Sequence, residues 1–219
     1  MTTSMLVATG SDYPVQFSVD YPERDLNRLT TAFRIIVAIP ILILIGALSN
    51  TGWEWGDLGD NGSPDLLIAG GTLLFFPTLL MIVFRQKYPR WWFEFNLQIS
   101  RFANRVAAYL ALMRDEYPST DDEQAVHLTF PYPDTTHELN RWLPLVKWLL
   151  AIPHYIVLAL LGIAALAAVI IAWFAILFTG RYPRAIFDFV EGVMRWNNRV
   201  TAYAITLVTD EYPPFRLGA

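Results

Sequence analysis

The 219-residue chain has no cysteine, which excludes disulfides, thiol nucleophiles and cysteine-ligated metals. Charge is scarce as well. Asp, Glu, Lys and Arg together make up 16% of the residues, against about 25% in soluble domains. The scarcity is uneven, because whole stretches carry no charge, and that is how membrane segments read. The opening residues, MTTSMLVATGSDYP, lack the basic start and apolar core of a secretory leader. Also missing are a Ser/His/Asp order, zinc-ligand spacing, a phosphate loop and a dinucleotide fingerprint. Neither catalysis nor a cofactor, metal or nucleic-acid partner is therefore expected.

Apolar residues account for 54% of the chain. Residues 1–14 read as a flexible tail. Val15, Phe17 and Val19 then alternate with Gln16, Ser18 and Asp20, the period of a half-buried strand. Spans of about twenty apolar residues cross a hydrocarbon core of roughly 30 Å, and they are expected near 29–48 and 66–84. Pro40 and Pro77 fall within them and should kink them. Between these spans the turn-rich loop Ser49–Asp65 gathers carboxylates and no base. Its Asp57, Asp60, Asn61 and Asp65 offer oxygens to a hard cation, but the spacing fits no EF-hand pattern, and a solvated turn is the simpler reading.

From Arg90 to about Met113, Phe95, Ile99, Phe102, Val106 and Tyr109 form one stripe. Glu94, Gln98, Arg101 and Arg105 form another. Such a helix suits the membrane interface or, alternatively, packing on a small soluble subdomain. The sequence then repeats itself. Val126, Leu128 and Phe130 alternate. Leu139-Asn140-Arg141 and Ala151-Ile152-Pro153 match Leu26-Asn27-Arg28 and Ala38-Ile39-Pro40, and Tyr182-Pro183-Arg184 matches Tyr88-Pro89-Arg90. Leu143–Thr179 is apolar apart from Lys147 and His154, and it reads as two short spans, 143–161 and 163–179, turning near Gly162. An amphipathic helix over about 184–207 follows.

The expected fold is thus mainly α and integral to the membrane: four transmembrane helices as two tandem parallel repeats, residues 15–118 and 119–219. Each repeat carries a short cytoplasmic strand and an amphipathic interfacial helix. The Lys and Arg residues lie on one side of this scheme, which places both termini in the cytoplasm of a multi-pass plasma or inner-membrane protein. Arg90, Arg101, Arg105, Arg184, Arg195 and Arg199, with Trp91 and Trp92, are candidates for binding anionic headgroups or a partner. An ordinary wet helix face is the competing reading. His154 is the intramembrane polar candidate, or else a neutral imidazole bonded to a carbonyl freed by Pro153. Asp188 and Glu94 suit helix dipoles, and Ala164, Ala168 and Ala172 suit a helix contact.

The stretches LNR…AIPHYIVL, TGRYPRAIFDFVEGVMRWNNRVTAY and TDEYPPF resemble a bacterial family of small integral membrane proteins, a domain of unknown function. The likeness runs over nearly the whole chain from about Val15 and is closer in the second half. In the first half Gln86-Lys87 and Trp91-Trp92 depart from it, and the loop Ser49–Asp65 is added. The resemblance implies membrane residence and brings no established activity or catalytic residues. The expected function is a non-catalytic membrane subunit or scaffold, a homo-oligomer or part of a larger complex, that anchors a partner at the cytoplasmic face. The rival is an oligomeric channel or small-solute transporter, which lacks polar lining here. A lipid-handling enzyme comes last.

Overall fold

A computed structural model describes residues 13–48, 65–120 and 122–218. Almost all of the tail and of the acidic loop Ser49–Asp65 lie outside the described residues. The order is β1 (Gln16–Val19), α1 (Arg28–Ala32), α2 (Arg34–Leu48), α3 (Asp65–Arg85), α4 (Arg90–Leu110), β2 (Val126–Thr129), α5 (Pro144–Leu150), α6 (Ile152–Thr179) and α7 (Arg184–Ala204).

The alternating stretches are strands, and they pair with each other. β1 and β2 run antiparallel, with Phe17 opposite Leu128 and Val19 opposite Val126. Alternation turns Val15, Phe17 and Val19 to the same buried side as Val126, Leu128 and Phe130. A lone two-stranded ribbon is marginal in water. Here it packs on the amphipathic helices, in one cluster with Phe93 and Leu97 of α4 and Phe187 and Val190 of α7. The packing is crossed: β1 lies against α7, and β2 against α4.

Helices α4 and α7 are each 21 residues long, and each opens on the proline of a Tyr-Pro-Arg sequence, which cannot donate a backbone hydrogen bond. Both stop three residues short of the expected ends. Leu112 and Leu207 follow with φ of 63° and 56°. A non-glycine residue there stores roughly 1–3 kcal/mol of strain. Both leucines are buried, so the side chains hold the backbone in place.

The four-span arrangement is overturned. Among the described residues only α6 is long and apolar enough to cross a membrane; the stretches Arg34–Ile43 of α2 and Phe75–Arg85 of α3 are apolar but shorter. The expected turn near Gly162 is absent. A lone glycine costs a helix only about 1 kcal/mol, and α6 runs through it for 28 residues. The break falls instead at Ala151, just before Pro153, separating the 7-residue α5. The first expected span is likewise two helices, divided at Phe33. Its longer piece, α2, has 15 residues, about 22 Å at 1.5 Å per residue, which is short of the hydrocarbon thickness.

Helix α6 ends at Gly180, with φ 77° and its N–H donating to the Ile176 carbonyl at 2.7 Å. The Gly180 carbonyl in turn accepts from the Leu26 N–H at 2.8 Å. Gly180→Ala is expected to lower stability by about 1 kcal/mol, because a Cβ is disfavoured in the left-handed region. A fall in denaturant midpoint at unchanged slope measures it.

Candidate functional site: an apolar helical face rooted in buried charge

Along α6 one narrow stripe is covered by the rest of the molecule. His154, Ala172 and Ile176 are buried, whereas Leu160, Ile163, Leu166, Ile171 and Phe178 are each more than 60% exposed. In its most apolar 18-residue window only 6% of residues are buried. The core helix of a soluble domain would be mostly covered. The proposed alanine stripe divides, with Ala172 buried, Ala168 half-buried and Ala164 exposed. Ile35, Ile36 and Ile39 of α2 and Phe76, Leu80 and Phe84 of α3 add to the exposed apolar surface.

Two buried cations root these helices. Arg34 pairs with Asp115 at 2.6 Å and donates to the Arg114 carbonyl at 2.7 Å. Lys147, wholly buried, lies 2.6 Å from Asp210 and donates to the Thr209 carbonyl at 2.6 Å. The Asp210 contact is that of an ion pair set off the hydrogen-bond direction. Burial pushes the Lys147 ammonium below its ordinary range, and Asp210 pulls it back. Each aspartate also accepts a backbone N–H, from Asn27 and Asn140 respectively. Each cation lies over a tyrosine, Arg34 on Tyr109 at 4.2 Å and Lys147 on Tyr203 at 5.0 Å. Asp115 and Asp210 each open a DEYP tetrapeptide, at residues 115–118 and 210–213, and nothing local in the sequence shows what either would meet.

The other recurring residues are also matched in space. Tyr21 Oη donates to the Tyr182 carbonyl and Tyr132 Oη to the Tyr88 carbonyl, at 2.5 and 2.6 Å. Asn104 and Asn198 exchange amide bonds at 2.7 Å in both directions. Tyr88 Oη donates to the Thr206 carbonyl and accepts from Asn96, and burial pushes the phenol up to about 12.

Of the residues singled out for headgroups or partners, the inner arginines face protein. Arg101 Nε donates to the Leu128 carbonyl and Arg195 Nε to the Phe17 carbonyl, both at 2.9 Å. They therefore satisfy two strand carbonyls that sit opposite each other. Arg195 also pairs with Glu191. Arg105 donates to the Ser119 carbonyl at 2.8 Å, and Arg199, 1% exposed, to that of Arg216 at 3.5 Å. Burial lowers the Arg199 pKa, aided by Arg216 and Arg195. Trp92 is half-buried and donates to Thr78 Oγ1 at 2.8 Å. Arg90, Trp91 and Arg184 remain exposed, with Arg90 over Tyr132 and Arg184 over Tyr21 and beside Asp188. Arg28, Arg85, Lys87 and Arg181 are exposed at the ends of the apolar helices, and so are Trp142 and Trp148.

His154 bonds to no freed carbonyl. Its Nδ1 accepts from Trp196 Nε1 at 3.1 Å, and its ring stacks on Phe215 at 4.0 Å. Indole only donates, so the imidazole carries its proton on Nε2. An open cleft of about 770 Å³ runs past Asp20, Glu23, Arg24 and Arg184 to Arg114 and Glu116. Arg114 and Glu116, 3.6 Å apart, largely neutralise each other. Among the described residues no three His, Asp or Glu side chains cluster as metal ligands would.

Residues 142–216 match a domain of unknown function, DUF4389. The resemblance expected over nearly the whole chain is thereby narrowed to this stretch. The DUF4389 region holds α5, α6 and α7, both members of the Lys147–Asp210 pair, and the His154–Trp196–Phe215 cluster. It omits β2, and with it the strand pairing. Comparison with curated proteins and with solved structures finds no match.

Proposed function

We propose that the protein is a non-catalytic membrane-bound scaffold. It seats its apolar helical face in the cytoplasmic leaflet of the cell membrane and presents its strand-bearing body to a partner, a second copy or another subunit. The exposed apolar length of α6 carries this reading. Full transfer of a Leu, Ile or Phe side chain from water contributes about 1.5–3 kcal/mol, so the outward residues of α6 supply on the order of 10 kcal/mol. Exposed arginines and tryptophans at the helix ends suit an anionic headgroup layer, each base adding roughly 1 kcal/mol.

The helix is better suited to lying in the leaflet than to crossing it. Its start is tied to the body by the bond from Tyr212 Oη to the Leu150 carbonyl, and its end by Leu26 and the Arg181–Asp25 pair. Helix α7 runs back along it, from Phe187 in the cluster with Ile176 to Trp196 at His154. A perpendicular crossing would draw Asp188, Glu191 and Arg195 toward the bilayer centre, at about 2.5–3.5 kcal/mol for each such charge. Tyr13 Oη donates to the Glu211 carbonyl at 3.0 Å, so both described ends lie on one side, which we take as cytoplasmic. The recurring contacts support a duplicated ancestry of the two halves, with the strands exchanged between them.

Flotation with liposomes containing phosphatidylglycerol tests membrane seating. The protein is expected to float, and Ile163→Asp with Ile170→Asp to reduce the floating fraction at least a hundredfold. A cysteine placed at position 163 should resist a polar maleimide added on either side of the bilayer. Undiminished flotation of the double variant, or labelling from the far side, would overturn the arrangement. Gentle extraction should yield a stoichiometric second chain; a lone monomer would refute the scaffold role.

A further inference from the structure

Arg101 and Arg105 on α4 are placed as Arg195 and Arg199 are on α7. Each pair is four residues apart, and the first Nε of each bonds to one of two opposed strand carbonyls. On α7 the rest of the first guanidinium is also satisfied. Arg195 Nη2 meets the Glu191 carboxylate, and Nη1 donates to the Leu217 carbonyl at 3.0 Å. Arg199 Nη1 donates to the preceding carbonyl, that of Arg216, at 3.5 Å. Two arginines so placed therefore reach adjacent oxygens of a single segment.

On α4 the same nitrogens are left over. Glu191 stands four residues before Arg195, but the residue four before Arg101 is Leu97. Both Nη atoms of Arg101 are unbonded among the described residues, and neither is sealed from solvent. Arg105 spends Nη1 on the Ser119 carbonyl, and its Nη2 is likewise unbonded and unsealed. The two side chains line one pocket of about 200 Å³ between α4 and β2, with Glu123, Gln124, His127 and Thr129. Gln124 is spent on Ser119 and Tyr117, and His127 is paired with Asp20 at 3.2 Å. Glu123 is exposed and forms no ion pair with either arginine. Two guanidiniums against one carboxylate leave the pocket positive.

We infer that this pocket binds the phosphate group of a phosphomonoester, with the Arg101 fork on two oxygens and Arg105 on a third. A guanidinium edge matches a pair of oxyanion oxygens. A carboxylate would spend both its oxygens on Arg101, whereas a phosphate keeps one for Arg105 and can accept from the Thr129 hydroxyl. The volume, below the roughly 300 Å³ of drug-sized pockets, suits such a group rather than a large ligand. None of the lining residues belongs to the exposed apolar face of α2, α3 and α6, so the site stands apart from the membrane seating.

Calorimetric titration of inorganic phosphate into the full chain, in nonionic detergent at low salt, provides the test. Saturable one-to-one binding is expected, with acetate weaker by about tenfold. Thr129→Glu, at an exposed strand position, sets a carboxylate in the pocket and should weaken phosphate binding by about tenfold. Glu123→Gln removes the carboxylate already there and should strengthen binding by about threefold. Both exposed variants should melt as the wild type does, so their opposite signs report the pocket and not the fold. Arg101→Lys keeps the charge but loses the fork, and should cost about tenfold. Phosphatidylcholine vesicles containing phosphatidic acid identify the source of the group. Added retention on them that free phosphate competes away, and that Thr129→Glu reduces, makes the ligand a lipid headgroup; retention indifferent to both makes it a soluble ester. Absence of saturable phosphate binding, equal affinity for acetate, or binding unchanged by Thr129→Glu and Glu123→Gln would each overturn the assignment. A chain that floats but binds no phosphate loses this site alone.

Discussion

Lys147→Met is expected to destabilise the protein by about 3–5 kcal/mol, the usual cost of breaking a buried ion pair from one side. Methionine fills much of the lysine volume, so the loss is electrostatic rather than a cavity. Asp210 is left at the root of α5 and α6 with its counter-charge gone, and the Thr209 carbonyl loses its donor. Asp210→Asn should also destabilise, since it strands a wholly buried ammonium. The double variant Lys147→Met with Asp210→Asn should recover more than half of the loss, because no lone charge then remains. Thermal unfolding in a fixed detergent reads all three. If Lys147→Met unfolds within 1 °C of wild type, the pair does not anchor the helices.

The pH dependence has a definite sign. The Lys147 pKa is depressed in the folded state, so above that folded value the unfolded chain binds more protons. Stability contributed by this group therefore rises with pH, up to the ordinary lysine value near 10.5. Lys147→Met lacks this rise, and the gap between variant and wild type should widen over that interval.

Neither half of the chain is expected to fold alone. β1 pairs with β2 yet packs on α7, while β2 packs on α4. Tyr21 caps the Tyr182 carbonyl, Tyr132 caps the Tyr88 carbonyl, and Asn104 and Asn198 bond to each other across the divide between the halves. Cutting between residues 118 and 119 severs none of these contacts, but separating the pieces severs all of them. Residues 119–219 expressed alone should show no cooperative unfolding as a monomer. Residues 142–216, which lack even β2, should fare worse. Co-expression of 1–118 with 119–219 should restore a complex that purifies through a tag on either piece. A monomeric 119–219 with a sharp two-state transition would refute the crossed packing.

Local pattern was enough wherever a residue's neighbours in sequence are its neighbours in space. The alternation of Val15, Phe17 and Val19 marks β1, and the four-and-three spacing of Phe95, Ile99 and Phe102 marks α4. Pattern fails for Leu143–Thr179 because apolarity without period cannot distinguish one long helix from two short spans, and Gly162 interrupts less than Pro153 does. It fails for the arginines too. Spacing four apart places Arg101 with Arg105 and Arg195 with Arg199 on one face of a helix, but not what faces them. The inner partners are carbonyls of strands 27 and 178 residues away.

The sequence by itself determined the abundance of apolar helix, the two strands, the amphipathic pair and the recurrence of short motifs, since each is a matter of composition or period along the chain. Only the tertiary structure decided which charges are buried, that the strands cross between halves, and that α6 is a single helix rooted at both ends in one body. Those depend on contacts between residues far apart in sequence. The favourable energy of such contacts arises when desolvated groups meet, and nothing in the local order of residues records that meeting.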